Sequence, residues 1–220
     1  KIQNLLYKNS NFFLSKKLFL KYRRFIKRNN KKLILNDDIM PKKKDFVNHI
    51  NEININSIKK LISNIDSKIK IKDINVKNSL KFRNQLIYNL NNLKVYNDSK
   101  CTNLNNAIYK NNLIKSSKKI LILGGRLKKQ DNNKKFNVTN TLVLIFGYQN
   151  NLISKHLNLI NSNLFTFHNL NNLMNFLKLV LKSYKYNYIL FSPGGDSYDI
   201  YKDYIDRGNH FNRLIEKNLF

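Results

Sequence analysis

Apolar residues along this chain fall into short continuous runs, and the runs alternate with segments whose apolar positions recur at helical spacing. Leu93–Tyr96 is a short apolar run with β-branched and aromatic character. The turn-forming Asn97, Asp98 and Ser99 follow it. Thr102 or Asn103 can then cap a helix whose apolar positions are Leu104, Ala107, Ile108 and Leu113. Ile120–Leu123 is a second apolar run, closed by Gly124 and Gly125. The succession predicts one βαβ unit spanning Leu93 to Gly125.

The same alternation continues downstream. Gln85–Tyr88 and Leu93–Tyr96 flank a turn-prone Asn89–Asn92 segment and predict a hairpin. Thr141–Phe146 is apolar throughout, as in a strand buried on both faces. A short helix is expected over Asn151–Leu157, a strand over Leu164–Phe167, and a helix over Leu170–Tyr184. That helix carries Leu173, Phe176, Leu177, Val180 and Leu181 on one stripe. Tyr188–Phe191 predicts another buried strand. A final helix is expected to begin at Ser197 and to turn Tyr201, Tyr204, Ile205, Phe211, Leu214 and Ile215 inward. The pattern predicts an α/β fold with a Rossmann-like, doubly wound and mostly parallel sheet.

Upstream the signal is weaker. Residues 1–30 mix aromatic and basic residues and suit a moderately amphipathic helix that includes Phe13, Lys17 and Leu20. A strand is expected over Lys32–Leu35, a loop over 39–49, and a helix over Asn54–Ile65. Ile69–Val76 is a lysine-interrupted apolar stretch of open type. A domain boundary is expected near residues 76–82, giving domains 1–78 and 79–220. The chain starts at Lys1 rather than Met and is expected to be a piece of a longer product.

Charge changes this picture less than its size suggests. Lys and Arg number 41 against 13 Asp and Glu, a formal net charge of +28. Such an excess points to nucleic acid or another polyanion. However, the lysines are scattered, and Asn, Lys, Ile, Leu, Phe and Tyr dominate as they do in a very AT-rich coding sequence. Cys101 is the single cysteine, which excludes a disulfide framework and a cysteine-based metal site. No apolar run approaches the roughly 20 residues of a membrane span, and the N-terminal residues do not make a signal peptide. A reducing cytoplasm is the expected compartment.

Candidate chemistry sits in three strand-end loops: NDSKCTN (97–103), GGRLKKQD (124–131) and SPGGDSYDIYKDYIDRG (192–208). In a doubly wound sheet, ligands bind beyond the strand ends. The loops bring backbone N–H groups, lysines, hydroxyls and an aspartate, a set suited to phosphates or carboxylates. The chain has no GxxxxGK[ST] phosphate loop and no GxGxxG turn.

NDSKCTN resembles the NDSKATN block of the Mur ligases that join D-glutamate to UDP-N-acetylmuramoyl-L-alanine. ILILGGRLKK is similar to that family's LLGGxxK turn, and ILFSPGGDSYDIYKDYIDRGNHF to its LLSPAxASxDxFxxxxxRGxxF ending. The three occur in the same order and spacing. The resemblance covers residues 80–216 and implies the family's C-terminal, amino-acid-binding domain. LILNDD (33–38) and NHINEININSI (48–58) look like pieces of its central, ATP-binding domain.

The family makes an acyl phosphate from ATP, with Mg2+, and the substrate carboxylate; the amine of D-glutamate then displaces phosphate. The resemblance implies nucleotide contacts at Asn51, Arg83 and Asp98. It implies a catalytic cation at Lys100, near the transferred phosphoryl group. Thr102, Lys128, Ser197, Tyr198 and Tyr204 fall where the family holds D-glutamate.

Several positions depart from the family pattern. Its HN histidine aligns with Ile50, beside His49, and its HR histidine with Phe82. An alanine of its ending aligns with Asp196, which adds a negative charge. Its carbamylated lysine corresponds to Lys21 or Lys27. Its phosphate loop and magnesium ligands would lie before Lys1. Two readings follow. One is a fragment or degenerate form of a bacterial or endosymbiont ligase of peptidoglycan precursor synthesis. The other is an inactive relic recruited as a basic RNA- or ribosome-binding module, in an organelle matrix for instance.

Overall fold

The computed structural model describes residues 81–128 and 134–219, together with two strand segments nearer the N-terminus. The chain divides into two compact units, Lys1–Lys77 and Asn78–Phe220. In the first unit β1 (Phe12–Leu14) pairs in parallel with β2 (Leu33–Leu35). Residues 12–14 are therefore strand, where the local pattern suggested helix. A partner some twenty residues away takes up their backbone groups, and helical periodicity cannot register such a partner. The expectations for residues 39–76 lie outside the described residues.

The second unit is built on a six-stranded sheet in the order β3-β4-β10-β5-β7-β9. Its strands are β3 (Gln85–Leu90), β4 (Leu93–Asn97), β5 (Lys119–Gly124), β7 (Leu142–Phe146), β9 (Asn163–Phe167) and β10 (Tyr188–Gly194). β3 and β4 form the antiparallel hairpin; every other pairing is parallel. Asn91 and Asn92, both at positive φ, make the hairpin turn, which Asn tolerates better than most residues. β4 and β5 are not neighbours. β10, the last strand in sequence, inserts between them and pairs with both. A separate two-stranded parallel sheet joins β6 (Phe136–Thr139) to β8 (Leu157–Ile160).

The helices among the described residues are α1 (Leu104–Leu113), α2 (Asn150–Lys155), α3 (Leu170–Ser183) and α4 (Tyr204–Leu219). Asn103 caps α1 and Asn169 caps α3, each side-chain oxygen accepting an N–H three residues on. At the other end of α1, the buried Lys119 ammonium donates to the carbonyls of Asn111 and Ile114 at 3.0 and 2.7 Å. A cation there meets the negative end of the helix dipole.

Alternation along the strands divides the core into two layers. Ile120, Ile122, Leu142, Leu144, Phe146, Ile189 and Phe191 pack with Leu173, Met174 and Leu177 of α3 and Phe211 and Ile215 of α4. Phe191 and Phe211 stack with ring centroids 4.0 Å apart. On the opposite face Gly194 abuts Leu104 and Ala107 of α1. Helices therefore cover both faces of the sheet.

The final helix begins at Tyr204, not at Ser197. The Ser197 carbonyl accepts N–H groups from Ile200 and Tyr201 and closes a separate turn. The Asp203 carboxylate takes the N–H groups of Ile205 and Asp206 and so caps α4. The helix expected over Asn151–Leu157 stops at Lys155, because Leu157 enters β8.

Candidate functional site

The three loops that leave β4, β10 and β5 lie side by side, because those strands are parallel neighbours. The loops after β5 and β10 are joined by an antiparallel bridge between Arg126 and Asp196, with both N–H···O distances 2.8 Å. Gly125, at φ +87°, makes the close approach possible: a Cβ there would collide with the Asp196 carbonyl and the Arg207 guanidinium.

Arg207 ties the third loop to the other two. It is fully buried. Its Nε and Nη2 donate to Ser99 Oγ and Ser99 O at 3.2 and 2.7 Å, and its Nη1 donates to Gly195 O at 3.0 Å. Burial pushes its pKa down to about 10, and nearby Asp199 opposes the shift. The planar five-donor fork of arginine suits three acceptors in fixed directions; an ammonium does not. Local reading of the motifs missed this residue. A usable signal was present, since arginine is scarce in a chain that otherwise uses lysine.

Asp98 is 1% exposed. One carboxylate oxygen accepts from the Asn84 N–H at 3.2 Å; the other accepts from Lys110 Nζ at 2.6 Å and Ser192 Oγ at 2.8 Å. Its contacts are internal and hold the β3 entry, α1 and β10 together. Asn97 reaches α4 through Gly208 O and Asn212 Oδ1. Phe82 lies buried against Gly208, where a Cβ would strike its ring. Arg83 is exposed beside it. Asn51 lies outside the described residues.

The remaining candidates fall into two groups. Lys100 Nζ donates to Tyr204 Oη at 3.0 Å and stands 4.2 Å from that ring's centroid. Lys128 Nζ lies 3.3 Å from Thr102 Oγ1 and 3.7 Å from Asp196 Oδ1. Ser197 is buried next to Asp196, and Tyr198 is 75% exposed. The loops thus bring Thr102, Lys128 and Asp196 into contact, with Ser197 adjacent in sequence to Asp196. Asp199, two residues on, has an oxygen that is buried without a partner, and burial raises its pKa. Among the described residues no group of three or more His, Cys, Asp or Glu side chains could hold a metal ion. No described helix is long and apolar enough to cross a membrane.

The sheet order, the helices on both faces and the strand-end loops define a Rossmann-like α/β domain of the kind that closes Mur ligases. Sequence comparison narrows this. Over 158 residues the chain is 35% identical to a UDP-N-acetylmuramoylalanine--D-glutamate ligase of Prochlorococcus marinus (strain MIT 9312), covering 68% of this chain and 33% of that protein. It is 33% identical over 157 residues to the protein of that name from Petrotoga mobilis, covering 70% of this chain and 36% of that one. The protein of that name from Pseudothermotoga lettingae is 30% identical over 180 residues, covering 79% of this chain and 41% of that one. The chain is a relative of the Mur ligases. It spans about a third of the length of the first two of these curated relatives. No family model matches it.

Proposed function

We propose that residues 79–220 are the amino-acid-binding domain of a Mur-ligase-type amide ligase, with D-glutamate as ligand and acyl acceptor and UDP-N-acetylmuramoyl-L-alanine as the acyl donor. In this reading residues 1–78 are part of the central, ATP-binding domain. The observation that carries it is the meeting of Lys128 with Thr102 and Asp196 across the ends of β4, β5 and β10. Lys128 supplies charge to a ligand carboxylate, Thr102 orients its amino group, and Ser197 Oγ and the Tyr198 N–H donate to the other carboxylate. The free amine then faces the carbonyl carbon of the acyl phosphate and displaces phosphate. Lys100, steadied by Tyr204, offsets the charge that develops there. By the resemblance Arg83 and Asn51 are nucleotide contacts, while Asp98, buried and engaged by Asn84, Lys110 and Ser192, acts by holding its loop in place.

ATP and Mg2+ serve the first half of such a reaction. The described residues do not gather a magnesium site, and the 220 residues carry no phosphate-loop sequence. The chain by itself is therefore expected neither to release ADP nor to form the amide bond. ADP release dependent on D-glutamate and the UDP-sugar acid would overturn that expectation.

The binding claim is tested by titrating the full chain with D-glutamate. A charge-assisted hydrogen bond contributes about 1.5–3 kcal/mol, so Lys128→Ala should weaken binding roughly ten- to a hundredfold. Equal affinity in the two chains would remove Lys128 from the site. The basic-module reading draws on the net charge of +28, and its own test is salt dependence.

A further inference from the structure

We propose that Asp196 is a specificity-determining residue whose carboxylate competes with the ligand for Lys128, so that it weakens the hold on a ligand carboxylate there and narrows the preference for it over its neutral amide counterpart. This rests on the amino-acid-binding reading above and names the charge that site accepts. Lys128 Nζ is 3.7 Å from Asp196 Oδ1, with the two side chains 45% and 33% exposed. The pair is open to solvent, so an incoming anion can reach it. The position of Asp196 is nevertheless fixed. Its N–H and C=O are both engaged by Arg126, and Gly125 leaves no slack beside them. The backbone thus fixes the root of this side chain within reach of Lys128.

A ligand carboxylate approaching Lys128 meets two obstacles. It must displace Asp196, and the displaced carboxylate stays within a few ångströms and repels it. A carboxamide meets no like-charge repulsion. Discrimination of this kind depends on a repulsive element as well as an attractive one.

The acidic residues of this loop do not look like background. Asp196, Asp199, Asp203 and Asp206 crowd into one segment of a chain with 13 acidic residues against 41 basic ones. Asp203 caps α4, and Asp206 accepts from the Lys202 N–H. Asp196 has no such backbone duty; its carboxylate is given to Lys128.

The test titrates the full chain and its Asp196→Asn variant with D-glutamate and with D-glutamine, following amide chemical shifts by NMR. The variant is expected to bind D-glutamate about tenfold more tightly than the unchanged chain, with D-glutamine altered less than about twofold. An equal gain for both ligands would overturn the proposal. So would no gain for either while Lys128→Ala still weakens D-glutamate, an outcome that leaves the amino-acid-binding reading intact. Failure of both chains to bind either amino acid removes the proposal together with that reading. Asp196→Ala, which offers no amide to the ligand, repeats the comparison and must give the same ranking.

Discussion

Arg207 does more for the site than any residue proposed to touch a ligand. It holds Ser99 and Gly195, and through them two of the three loops. Arg207→Ala would strand three buried acceptors. It should lower stability by at least about 3 kcal/mol, since each charged hydrogen bond contributes about 1.5–3 kcal/mol. Denaturant titration checks this; a loss near zero would mean that the loops are held together by other contacts. Asp199 makes the opposite case. Its unfolded carboxyl titrates near 3.8, and burial raises the folded value. The folded chain therefore holds the proton more tightly than the unfolded one. The penalty is fully present above the folded pKa, fades as pH falls through it, and is gone below the unfolded value. Asp199→Asn should raise the Tm at about pH 7 and raise it less at about pH 4. Thermal melts at the two pH values decide it; an equal effect at both would separate the gain from titration.

Among the elements, α4 has the most uneven demands on it. Its first turn supplies Arg207 and Tyr204 to the loops, and its later turns bury Phe211 and Ile215. Phe211 stacks on Phe191 of β10, so the helix is anchored to the strand whose loop it stabilises. Phe211→Ala should cost about 3–5 kcal/mol by leaving a cavity in a packed core. The change in unfolding midpoint measures this, and a loss below about 1 kcal/mol would show that the core collapses around the gap. Phe211, Leu214 and Ile215 were legible from helical periodicity. The start of the helix was not, because the run from Tyr201 to Ile205 is apolar in places and the cap is set by Asp203. β6 and β8 were also missed. β6, FNVT, alternates apolar and polar residues, while β8, LNLI, breaks the alternation at Leu159-Ile160; four residues are too short a run for either pattern to stand out.

For the whole molecule, the charge of +28 makes a prediction that is independent of the crevice. Scattered lysines bind polyanions through counterion release, so binding to a nonspecific RNA should appear at low salt and fall steeply toward physiological salt. Filter binding across a salt series measures this. Tight, sequence-selective binding that persists near ~0.3 M salt, well above the physiological range, would favour the basic-module reading over the ligase one.

What the sequence determined by itself was local. Runs of Val, Ile, Leu and Phe marked β5, β7 and β10; heptad-scale spacing marked α3; turn residues marked the loops. The contents of the three loops were legible too, together with the order in which they occur. Beyond the hairpin of β3 and β4, which strands are neighbours was not. β10 enters between β4 and β5 because the crossover from β9 carries the chain back across the sheet, and no local pattern encodes that return. Only this placement sets the loop of Asp196 against that of Lys128 and buries Arg207 between Ser99 and Gly195. Burial and pairing are properties of distant residues meeting. A residue's own neighbours in sequence can fix its conformation, but its partners and its charge environment are decided when the sheet closes around it.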